Sequence, residues 1–208
     1  MNRASFTLVT CLVLSGLCIG AANADDEQVE QMHGFRVEYA KVGAKELQKM
    51  RASLERQFEI IEAVGVPPAV LDYFRTVPVV IVPELKTGYG HAGMEGGRQI
   101  VELKAAKLPS DRPILLHELL HAYHGQKIGR STMIQSSYQE ALHSAMYPKS
   151  YAKAHFLENP REYFAVISSI FLYGKKIDQP PYDCAIAAKR QPQFIEFLAE
   201  HFGPHSCK

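Results

Sequence analysis

The stretch RPILLHELLHAYHGQKIG, Arg112 to Gly129, puts three histidines and one glutamate within eight residues of an otherwise apolar pattern. Its leucines recur at helical spacing, and Gly129 follows as a stop. Ser110 or Asp111 can cap the start, Pro113 suits the first turn, and a helix is expected to run to about Gln126. On such a helix, residues four apart lie one above the other. His117 and His121 can therefore bring two imidazole nitrogens to one ion, with Glu118 beside them. This is the physical content of HExxH: two neutral ligands and an adjacent carboxylate able to take a proton from activated water. His124 falls near the same stripe but lies about 10 Å along the axis from His117, against metal–nitrogen bonds of about 2 Å. A supporting or surface role is expected for it.

Outward from this helix the chain changes character. Toward the N-terminus, FRVEYA (Phe35 to Ala40) alternates apolar and polar residues and reads as a strand. Ala44 to Val64 carries Leu47, Met50, Leu54, Phe58 and Ile61 on one helical face before Gly65. VPVVIV (Val77 to Val82) is a short β-branched run that reads as a buried strand. KTGYGHAGMEGG reads as a glycine-rich loop, with no phosphate-binding spacing, and RQIVEL (from Arg98) as the strand after it. Toward the C-terminus, helices are expected over Ile134 to Ala145, from Asn159 to Tyr173 with Gly174 as stop, and over Pro192 to Phe202. Strands early and helices late give an α+β class in one domain from Asp25 to Lys208, a short sheet followed by the HELLH helix and C-terminal helices, which together with HExxH is expected to be zincin-like.

The first 24 residues are expected to lie outside the fold. Arg3, the apolar run from Phe6 to Gly20 and the small residues Ala22 and Ala24 make a secretory signal peptide cleaved after Ala24. The apolar run is short for a membrane anchor, and no later segment is long enough to span a bilayer. Leu17 before Cys18 argues against a lipoprotein. The chain is thus expected to be secreted or periplasmic, with no stable membrane anchor. Removing the signal leaves Cys184 and Cys207, which an oxidising compartment would pair. That bridge is worth about 3 kcal/mol in the chain-entropy description. A hydrophobic content of 47% and a charged content of 22% argue against disorder, and a net charge of +1 argues against a nucleic-acid partner. Oligomeric state is not legible.

Two glutamates compete as third ligand. Glu140 lies 19 residues after His121, near the spacing of thermolysin-like enzymes, but Ser144 stands where those carry an orienting aspartate. Glu162 lies 41 residues after His121 in NPREYFA. There Asn159 as cap and Pro160 at the first helical position also allow a purely structural reading. HELLH followed by NPREYFA resembles the gluzincin group that includes the catalytic domain of anthrax lethal factor and the Mlc titration factor peptidases. The resemblance spans roughly Val77 to Tyr173 in order of elements and is specific only at the two motifs. It implies Zn²⁺ held by His117, His121 and Glu162, with Glu118 as general base and a peptide or protein substrate. Those relatives usually carry a tyrosine seven residues before the ligand glutamate, which helps to stabilise the oxyanion. Here His155 stands at that position and Tyr151 lies one turn earlier, so both are candidates for that role. An extended peptide is expected to pair with RQIVEL as the upper edge strand, rimmed by the Tyr89–Gly97 loop. Two rivals remain: a zinc hydrolase of a non-protein amide, and a zinc or partner-binding domain without turnover.

Overall fold

The computed structural model describes residues 28–144, 146–205 and 207. The expected signal peptide lies outside them. Strands β1 (Gln28–Met32) and β2 (Phe35–Tyr39) form a hairpin through His33 and Gly34, both at positive φ (52° and 81°). That is the turn geometry matching the twist of paired strands. Helices α1 (Ala44–Ala63) and α2 (Pro68–Thr76) then cross over to β3 (Val79–Val82), which runs parallel to β2. Strand β4 (Gly90–Glu95) turns through Gly96 and Gly97 into β5 (Arg98–Lys104), which pairs parallel with β3. The order is β1-β2-β3-β5-β4, a five-stranded mixed sheet. Seven α-helices accompany it among the described residues, compatible with an α+β class.

One face of the sheet is apolar because side chains alternate along each strand. Val37, Val79, Val101 and Ala92 are register partners in a row across four strands, and all are buried. Helix α3 (Ile114–Tyr123) packs between this face and α5 (Pro160–Tyr173). Leu115, Leu116, Leu119 and Leu120 are fully buried. Each contributes on the order of 2 kcal/mol of transfer free energy. With those leucines anchored, His117 and His121 face a cleft.

The C-terminal half closes over α5. Helix α4 (Thr132–His143), α6 (Cys184–Arg190) and α7 (Pro192–Phe202) surround it. Gln191, between α6 and α7, is buried and fully used: its amide donates to the Ser137 carbonyl, while its oxygen accepts from the Tyr147 and Tyr163 hydroxyls. Cys184 and Cys207 are paired at a Cα–Cα distance of 4.9 Å, tying the tail to α6. No described helix is long and apolar enough to cross a membrane.

Several expectations are corrected. Part of the glycine-rich run is strand β4, and β4, not RQIVEL, occupies the sheet edge, because a strand needs only backbone pairing and Gly96–Gly97 close the hairpin. Helix α3 begins at Ile114 with Pro113 as its cap position, and no local side chain caps it. Gln57 of α1 does that work instead: its oxygen accepts from the Leu115 N–H at 3.0 Å, and its amide donates to the Pro109 and Arg112 carbonyls. After Tyr123 the helix widens into a π-helical turn, His124–Ile128, which Gly129 ends at φ 63°. Helix α4 lies two residues earlier than expected, since Ser131 caps it by accepting from the Ile134 N–H.

Candidate metal centre

Asn159 starts α5 by accepting from the N–H groups of Arg161 and Glu162, at 2.9 and 3.0 Å. The cap therefore uses the asparagine side chain and leaves the Glu162 carboxylate free to cross to α3. There Glu162 Oε2 lies 3.1 Å from His121 Nε2 and 3.3 Å from His117 Nε2, and the two imidazole nitrogens are 3.1 Å apart. Two ligands about 2.0–2.1 Å from one tetrahedral ion are separated by about 3.3 Å. The three edges of this triangle, 3.1, 3.1 and 3.3 Å, fit that geometry. Imidazole and carboxylate are also a donor set suited to a borderline divalent cation. His117, His121 and Glu162 could thus hold one metal ion. His155 enters from the 3₁₀ turn His155–Leu157, with Nε2 at 2.9 Å from the same Glu162 oxygen and Nδ1 at 3.0 Å from Glu158 Oε1. His117, His155 and Glu162 also cluster closely enough to bind an ion.

The electrostatics follow from the crowding. Burial works to raise the Glu162 carboxyl, but hydrogen bonds from His117, His121 and His155 outweigh it and hold the group far below the usual carboxylate range. The hydrogen bond to Glu162 is the largest influence on His155, which is pushed up to about 9 against opposing burial. Glu118 is only 7% exposed, and burial raises its carboxyl above the usual value. Charge on His117 and a backbone hydrogen bond at Ala92 of β4 act in the opposite direction. A buried carboxyl with a raised pKa beside a ligand cluster is poised to take up a proton.

Gly90 makes room for it. A Cβ on Gly90 would lie 2.7 Å from Glu118 Cγ and 2.8 Å from Oε1, so the first residue of β4 is a glycine because the Glu118 carboxyl occupies that space. The cleft around these groups is about 850 Å³ and runs between β4 and the preceding Thr87–Tyr89 segment on one side and Glu158–Arg161 on the other.

Of the residues singled out in the sequence, His117, Glu118, His121, His155 and Glu162 come together around the cleft. Tyr151 does not line it: its half-buried ring packs against Tyr147, Phe156 and Tyr182. Glu140 is exposed on α4 and lies off the cleft. A surface role for His124 is excluded, because it is 9% exposed and packs 4.9 Å from the Phe164 ring. Burial pushes its imidazole down to about 4. Sequence reasoning missed Gly90, Gln57 and Glu158. For Glu158 the signal was its place three residues after His155 on a tight turn; for Gly90 and Gln57 no local signal exists, since their partners lie far along the chain. Compared with known protein families, curated proteins and solved structures, the chain gave no match.

Proposed function

We propose that this chain is an exported zinc metallopeptidase of the gluzincin type, with His117, His121 and Glu162 as ligands. The observation that carries the reading is the tetrahedral-sized triangle of three ligand atoms with a buried carboxylate, Glu118, at its side. Zinc bound there would polarise a carbonyl and lower the pKa of water toward about 7. Glu118 accepts the proton of the attacking water as its oxygen bonds to the peptide carbon. It then delivers that proton to the amine as the carbon–nitrogen bond breaks. His155, with Nε2 turned toward the ligand cluster, donates to the carbonyl oxygen as negative charge develops. Strand β4 is the edge strand of the sheet among the described residues, so an extended substrate could pair with it and cross the cleft. An apolar N-terminal run and the paired Cys184 and Cys207 support export.

One observation favours a second reading. His155 Nε2 is close enough to the cluster to serve as a fourth protein ligand, and four protein ligands make a closed, structural site. The zinc-loaded protein incubated with a mixed peptide library separates the two. The peptidase reading expects cleavage that a chelator abolishes and added zinc restores. Tight zinc binding with no cleavage of the library supports the closed site and overturns the peptidase.

A further inference from the structure

We infer that Glu158 is a positioning residue for His155, and that the pair works as a carboxylate–imidazole unit at the mouth of the cleft. The inference rests on the peptidase reading for its catalytic consequence, though not for its geometry. His155 is held at both ring nitrogens: Nδ1–H donates to Glu158 Oε1 at 3.0 Å, and Nε2 faces Glu162 Oε2 at 2.9 Å. The side chain is 42% exposed and rides on a three-residue 3₁₀ turn, with the His117 ring 5.7 Å away, so packing fixes the ring only in part. His121 offers the contrast. It is buried, and its Nδ1 has no hydrogen-bond partner among the described residues, so the side chains packed around it hold that ring instead. An exposed imidazole that must keep one nitrogen aimed at a reacting carbonyl needs a partner on the other nitrogen. Glu158 supplies it from the same turn, three residues on, where the chain reverses into the Asn159 cap. Glu158 touches no ligand atom among the described contacts and acts through His155.

The test uses the full-length mature protein, free of metal and zinc-loaded. Glu158→Ala should lower kcat about tenfold, the low end for loss of such a partner, with KM and zinc content unchanged. Glu158→Gln should keep most of kcat, because its amide oxygen still accepts from Nδ1–H. In a His155→Ala background, Glu158→Ala should have no further effect. An unchanged kcat in Glu158→Ala, or the same loss with His155 absent, overturns the inference. Imidazole nitrogen NMR reads the geometry without turnover: the hydrogen-bonded His155 Nδ1–H signal should vanish in Glu158→Ala and persist in Glu158→Gln. If that signal is unaltered in Glu158→Ala, the pairing itself is wrong. If no variant hydrolyses peptide yet the signal behaves as stated, the positioning stands and the peptidase reading fails.

Discussion

Among the described residues, two clusters combine histidine with glutamate, and they do opposite things with the same side chains. At the β1–β2 turn, His33 lies between two carboxylates of α1: Nε2 is 2.6 Å from Glu55, and Nδ1 is 2.9 Å from Glu62. Its ring stacks on Phe58, and its carbonyl accepts from Arg75. Each ring nitrogen has its own acceptor, so the imidazolium is itself the cation and no ion is needed. At the α3–α5 cleft, potential ligand atoms converge on one another instead. Two imidazole nitrogens face one another at 3.1 Å, and one carboxylate oxygen faces both. Ligand atoms gathered at one point would suit a cation held between them. Convergence, and not the number of histidines, separates a candidate metal site from an ion pair.

The largest effect expected is at Glu118. Glu118→Gln is nearly isosteric but cannot take a proton, so hydrolysis should fall by about a thousandfold or more while zinc and fold remain. Most of the activity surviving in that variant would remove Glu118 as the base. Next is Gly90→Ala, whose Cβ would meet the Glu118 side chain. The carboxylate must shift, and an ångström of misplacement is worth about a hundredfold. Normal kcat in Gly90→Ala with unchanged melting would show that Glu118 tolerates displacement. His155→Ala should lower kcat by about a hundredfold with zinc retained, whereas Tyr151→Phe, off the cleft, should leave it intact. The reverse pattern would assign the oxyanion donor to the tyrosine.

The smallest effect is at His33, and it sharpens the comparison from the other side. Its pKa is raised, chiefly by the hydrogen bond to Glu55, against opposing burial. A raised value means that its contribution is complete below about pH 6.5 and is lost as pH rises through the folded value. His33→Gln should therefore melt below wild type at pH 6 and approach it at pH 9, a difference on the order of 1 kcal/mol or less. A gap that widens with pH would mean that His33 is not an imidazolium clamp.

What was legible in the sequence followed local rules. HELLH put two candidate ligands side by side because helical geometry is local, and Asn159-Pro160 announced the start of α5 because a cap is made within three residues. The strands Phe35–Tyr39, Val79–Val82 and Arg98–Lys104 carried enough β-branched and alternating character to be read. Strand β4 did not, since its sequence GHAGME has few such residues. Its pairing comes from backbone geometry, and Gly90 is there for a contact 28 positions away. Helix α2 is short and follows a Pro-Pro step that reads as a break. The cap of α3 was illegible for the same reason as Gly90: Gln57 lies 58 residues from the N–H it satisfies. For Glu162, spacing left a rival in Glu140, and only the packing of α5 on α3 brings one of the two to the histidines.

Zinc retention in paired glutamate variants tells Glu162 from Glu140 as the third ligand. Wild type, Glu162→Ala and Glu140→Ala are loaded with zinc, dialysed against a weak chelator and assayed for zinc per chain, with melting curves to check the fold. Asn159 keeps the cap in Glu162→Ala, so folding should survive. One zinc per chain is expected in wild type and Glu140→Ala and almost none in Glu162→Ala. Zinc held equally by folded Glu162→Ala, or lost from Glu140→Ala alone, would contradict that assignment.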